Sequence, residues 1–80
     1  MLIDSDKINL KDVKAILEKE SIAITSEVDN HLNYFDAFTK VYIHNDGVEI
    51  IYVHPKFSIC KRLYIKSDST CNYEFSICGI

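Results

Sequence analysis

From Val41 onward, apolar-rich runs alternate with turn signals, and this pattern limits the possible folds more than any other feature of the chain. Asp46-Gly47 lies between two such runs, a strong hairpin signal because a two-residue type I′ turn needs positive φ at both positions. His54-Pro55-Lys56 closes the second run, since proline cannot donate to a ladder. Ser67-Asp68-Ser69 marks a third turn. The reading is four strands, at about 37–45, 48–54, 57–66 and 71–78, joined by short connections as an antiparallel meander.

The expected register takes Asp46-Gly47 and Pro55-Lys56 as two-residue loops and Ser67-Asp68-Ser69 as a three-residue loop. Ile43 then opposes Ile50, Tyr52 opposes Ile59, Ile59 opposes Ile77, and Leu63 opposes Tyr73. One face collects Val41, Ile43, Val48, Ile50, Tyr52, Phe57, Ile59, Leu63, Ile65, Tyr73, Phe75 and Ile77, with Lys61 as its one charged member. A one-residue slip would turn a whole strand over, so agreement across three turns supports this assignment of faces.

Ahead of the strands, Leu10, Val13, Ile16 and Leu17 recur at helical spacing, with Lys11, Asp12, Lys14, Glu18 and Lys19 on the other side. Asn9 can cap the first turn, where Asp12 meets the positive end of the macrodipole. The helix is expected at about 9–20, followed by an extended run over Ser21–Thr25. A short helix or turn is expected at about 26–33, with Ser26 and Asp29 as its capping signal. The fold class is α+β, a helix layer on a four-stranded antiparallel sheet within one small domain over residues 1–80.

Composition narrows the function classes. Nine Lys and Arg against twelve Asp and Glu give a net charge of −3, which disfavours phosphate-backbone binding. The imbalance lies in residues 1–36, with eight acids against four bases; residues 37–80 hold four acids against five bases. Two glycines in 80 residues exclude a dinucleotide-binding domain. No apolar run reaches the roughly 18 residues of a membrane span, and the N-terminus has no secretory pattern. Three cysteines, at 60, 71 and 78, form no CxxC pair and no even-numbered disulfide framework. They read as reduced thiols in a cytoplasmic protein. His31, His44 and His54 lack metal-ligand spacing within one element, so neither metal nor cofactor is expected. The abundance of Ile, Lys, Tyr and Asn is that of an A+T-rich genome, which fits a phage or mobile-element source.

The opposite sheet face carries the one constellation of chemical interest. The register aligns His44, Glu49, Arg62 and Glu74 in a row across four strands, beside Tyr42, Ile51, Val53, Cys60, Tyr64 and Cys78. An ion-pair ladder on a solvated face is the simplest account. A partner-binding face is the next, since Tyr and Arg within an apolar patch have the makeup of interface hot spots. A catalytic centre with His44 as proton carrier is a third, though a flat face offers no cleft and no evident nucleophile.

The expected function is a non-enzymatic protein-binding module, a small regulator or inhibitor acting on a partner that could be basic. The expected contact residues are Tyr42, Glu49, Ile51, Arg62 and Tyr64 on the outer face, with Glu27, Asp29 and Asp36 in the acidic segment. Self-association through this face or an edge strand is a variant. The competing class is a small RNA-directed enzyme or toxin centred on His44, Glu49 and Arg62, which the acidic charge disfavours.

Overall fold

The computed structural model describes every residue except 36, 55, 57, 58 and 78–80, and leaves the side chains of residues 5 and 6 aside. Expectations resting on Asp36, Pro55, Phe57 and Cys78 therefore lie outside the described residues. The elements in chain order are β1 (Leu2–Ile8), α1 (Leu10–Lys19), α2 (Ser26–Leu32), β2 (Phe38–His44), β3 (Gly47–Val53), β4 (Ile59–Lys66) and β5 (Cys71–Ile77). Two helices pack on an antiparallel sheet whose strand order follows the sequence, β1 to β5. None of the described helices is long and apolar enough to cross a membrane.

The α+β architecture agrees with the sequence reading, and among the described residues the sheet has one more strand than the four expected. β1 escapes a periodicity search because its apolar residues Ile3 and Ile8 stand an odd number of positions apart, which in an unbroken strand sends them to opposite faces. The ladder with β2 shifts register between Asp4, opposite Lys40, and Ile8, opposite Phe38, so four steps of β1 run against two of β2. Ile8 thereby reaches the core at 5% exposure, while Ile3 packs against it from the side.

α1 forms as its sequence indicates. Asn9 Oδ1 accepts from the Asp12 amide at 2.8 Å, and Val13 and Leu17 are fully buried. Its end is not an extended run. The amide of Ser21 donates to the Glu18 carbonyl, that of Ile22 donates to Leu17, and Ser21 has φ 60°. This is a Schellman stop with serine where glycine is usual, and it falls where the sequence reading ends the helix, at about residue 20. In α2 the cap is Thr25, whose Oγ1 accepts from the Val28 amide at 3.2 Å, rather than Ser26. Val28 and Leu32 bury the inward side of α2.

Two of the three hairpin registers differ from expectation by two residues. His44 opposes Gly47 and Ile43 opposes Val48, so Asn45-Asp46 is the loop and Gly47 begins β3. Neither loop residue has positive φ, so the turn is not type I′. Gly47 is required for another reason: a Cβ there would stand 2.4 Å from the Ile65 carbonyl oxygen and 2.9 Å from the Lys66 Cα. In the second hairpin Tyr52 opposes Lys61 rather than Ile59, and the His54 amide donates to the Ile59 carbonyl. That connection is longer than the two residues expected. The third hairpin has the expected register, with Ile59 opposite Ile77 and Leu63 opposite Tyr73.

A slip of two preserves the parity of each strand, so the face assignment largely survives. Val41, Val48, Ile50, Leu63 and Ile65 are fully buried beneath the helices. Phe38 departs from the alternation, since it is even-numbered yet buried in the same core and stacked on Phe35 at 5.2 Å. Coverage fades along β5, where Cys71 still packs against the core. Tyr73, Phe75 and Ile77 belong to the apolar face but are 44%, 55% and 76% exposed. Lys61, opposite Phe75, places its Nζ 5.8 Å from the Tyr52 ring centre, a cation–π contact.

Candidate functional site

The outer sheet face brings the expected row together, but by diagonal contacts. Glu49 stands directly opposite Tyr42 and Tyr64. From there its Oε1 lies 3.0 Å from His44 Nε2, and its Oε2 accepts from Arg62 Nε at 2.8 Å. Arg62 extends toward Glu74, its direct cross-strand neighbour, at 3.8 Å. Side chains two positions out of register remain within reach of one another when they are long. Glu49 is the best-shielded member at 15% side-chain exposure, against 48% for Arg62 and 71% for Glu74.

The row also has an aromatic part that the expected register did not reveal. The His44 ring lies between those of Tyr42, at 6.1 Å, and Tyr64, at 5.3 Å, with interplanar angles of 18° and 19°. Gly47, opposite His44, makes room for this stack, since a Cβ there would come 3.0 Å from the Tyr64 ring. The Tyr64 hydroxyl donates to Asp46 Oδ1 in the hairpin loop. This hydrogen bond holds the Asp46 carboxyl below its ordinary range and pushes the Tyr64 phenol up to about 12. At neutral pH Tyr64 is therefore a fixed donor rather than a base. A shallow depression of about 340 Å³ is lined by Asp46, Glu49, Arg62, Tyr64, Lys66 and Glu74.

Both oxygens of Glu49 are engaged, and Tyr64 is committed to Asp46. The arrangement thus resembles a fixed, mixed-charge surface more than a set of groups waiting for a reacting atom. Ile51 is a correction: expected among the exposed contacts, it is buried at 7% exposure. It stands between Lys40 and Arg62 in register, two residues with aliphatic stems long enough to lie over it. Tyr42 and Tyr64 are half-buried.

The acidic segment does not act as one patch. Asp29 pairs with Lys14 at 2.9 Å, joining α2 to α1. Glu27 instead turns toward β5, where a donor atom from each of Glu27, His31 and Cys71 lies within 4.8 Å of the other two. Sequence reasoning missed this grouping because Cys71 is distant in the chain and no single element contains the set. The helical spacing of Glu27 and His31 was the available half of the signal.

A further feature is the free edge of β5. All seven residues from Cys71 to Ile77 pair with β4 without a register break, and among the described residues no strand lies beyond them in the sheet. Tyr73, Phe75 and Ile77 alternate along one side of this edge with their apolar surface exposed. Comparison of the chain with protein-family models, curated proteins and solved structures finds no match.

Proposed function

We propose that the protein is a non-enzymatic protein-binding module whose partner adds an extended segment to the β5 edge. The carrying observation is the regular seven-residue edge with three uncovered apolar side chains at alternate positions. An open edge offers unpaired backbone donors and acceptors to an incoming strand, and the alternate side chains select which strand fits. Apolar residues at alternate positions of the partner strand would lie beside Tyr73, Phe75 and Ile77. On the opposite side the same strand would run past Glu74 and the exposed Arg62 guanidinium. The outer-face residues Tyr42, Glu49, Arg62 and Tyr64 then form the polar part of the docking surface. Cys60 and Cys71 are thiols, which accords with a reducing, cytoplasmic setting.

The test is affinity capture from cells of the source organism, followed by reconstitution with the captured protein. Three forms are compared: the wild type, a Phe75→Lys/Ile77→Lys double variant and Tyr64→Ala. Hot-spot loss at the edge should weaken binding by at least about 2 kcal/mol, roughly thirtyfold. Tyr64→Ala should have a smaller effect. Light scattering on the free protein separates partner binding from pairing of two copies. Wild-type affinity in a folded double variant would move the docking surface away from β5.

A further inference from the structure

The cluster formed by α2 and the start of β5 has a chemistry that the docking surface does not use. Glu27 and His31 are one helical turn apart, so both project from the same side of α2. Cys71 is the first residue of β5, its half-buried Sγ 3.7 Å from the Ser69 carbonyl oxygen. We propose that Glu27, His31 and Cys71 form a binding site for a zinc-class divalent cation, with three protein ligands and a fourth position open to water or an external ligand.

The donor set determines the class of ion. A thiolate, an imidazole and a carboxylate together suit zinc and its first-row neighbours, whereas magnesium and calcium take oxygen ligands. Tetrahedral coordination with zinc bonds of about 2.0–2.3 Å places donor atoms about 3.3–3.8 Å apart. The three donors already lie within 4.8 Å of one another. Side-chain rotation alone can close a difference of about an ångström.

A backbone contact also fixes the tautomer of the histidine. Its Nδ1 lies 2.8 Å from the Glu27 carbonyl oxygen. A carbonyl can only accept, so Nδ1 carries the proton and Nε2 keeps the lone pair. An outer hydrogen bond of this kind fixes the tautomer and ring orientation of metal-bound histidines. Binding replaces the S–H bond of Cys71 with a sulfur–metal bond and releases the proton to solvent. The two negative ligands then neutralise the ion.

Access comes from a cavity of about 220 Å³ lined by His31, Tyr34 and Tyr73. It borders one ligand and is large enough for water or a small donor in the fourth position. The site would cross-link α2 to β5, elements far apart in sequence, so occupancy should stabilise the folded chain.

Cobalt(II) is the probe, because a cysteine thiolate bound to it gives a near-ultraviolet charge-transfer band. The wild type and a Cys60→Ser/Cys78→Ser double variant should bind one Co²⁺ per chain with this band, and Zn²⁺ should displace it. Cys71→Ser should lose the band, and His31→Gln should weaken binding by at least about tenfold. Added Zn²⁺ should raise the melting temperature of the wild type and leave that of Cys71→Ser unchanged. A folded wild type without the band overturns the proposal. So does a band that survives in Cys71→Ser, or one that disappears in the Cys60→Ser/Cys78→Ser variant. Partner capture by β5 does not enter this readout, so the two proposals fail separately.

Discussion

The two edge strands, β1 and β5, are each seven residues long and each end in isoleucine, yet they treat solvent in opposite ways. β1 breaks register against β2, has Asp4, Asp6 and Lys7 in its sequence, and turns Ile8 into the core at 5% exposure. Its exposed apolar residue, Leu2, stands at its beginning, next to the exposed Met1. β5 keeps a regular ladder, has Glu74 as its one charge, and leaves Ile77 76% exposed. Irregularity and charge are the usual means of preventing edge-to-edge association. One edge of this sheet has both, and the other has little of either. β1 closes the core, whereas the apolar side of β5 is left exposed, the feature on which the proposed docking rests.

The largest expected effect lies in the isoleucine pair itself. Ile8→Ala should destabilise the protein by about 2–4 kcal/mol, as truncation of a buried isoleucine does. Ile77→Ala should stay within about 0.5 kcal/mol. Urea denaturation of both variants measures the difference, and equal losses would erase the distinction between the edges. Gly47→Ala comes next, at about 1–3 kcal/mol, because its Cβ would press on the backbone of β4 rather than on a movable side chain. This effect belongs to the sheet centre and should leave β5 pairing intact once stability is restored by lower temperature.

Along β5 the loss on truncation should fall with distance from the helices. Tyr73 meets the Phe35 ring edge-on at 6.2 Å, so Tyr73→Ala should destabilise by about 1–2 kcal/mol. Phe75→Ala should fall between Tyr73→Ala and Ile77→Ala. A flat series would mean that the helix layer covers β5 uniformly. The loop before β5 is tied down by Ser69 Oγ, which donates to the Ala23 carbonyl at 2.8 Å. Ser69→Ala should remove about 0.5–1 kcal/mol and speed hydrogen exchange at the start of β5 relative to β1.

The smallest effect is a titration. The Tyr64 phenol, raised by its hydrogen bond to Asp46 to about 12, favours the folded state below its ordinary value near 10. That contribution is lost as pH rises through about 12. One of the five tyrosines should therefore ionise late in an absorbance titration, and Asp46→Asn should return it toward its ordinary value. Early ionisation of all five tyrosines would dissolve the Tyr64–Asp46 link.

The outer-face row illustrates how a site can be legible while its geometry is not. His44, Glu49, Arg62 and Glu74 were selected from a register that is two residues off in two hairpins. They still meet because the error preserves parity and because charged side chains reach diagonally. The stacking of His44 between Tyr42 and Tyr64 was invisible, since it depends on the true register and on the missing side chain at Gly47. The Glu27–His31–Cys71 cluster was invisible for a different reason: its members come from two elements whose packing no local pattern encodes.

The sequence alone determined α1, the four strands of its second half and the sides those strands present to the core, and it left residues 26–33 between a short helix and a turn. Each rests on local periodicity, which follows from the geometry of single elements. The tertiary structure alone decided that residues 2–8 join the sheet, that Ser21 takes a left-handed conformation after α1, and that the helix layer covers only the start of β5. A register break, a left-handed serine and an uncovered edge all depend on which surfaces meet. That is settled by the fit of whole elements against one another, and a single stretch of sequence does not record it.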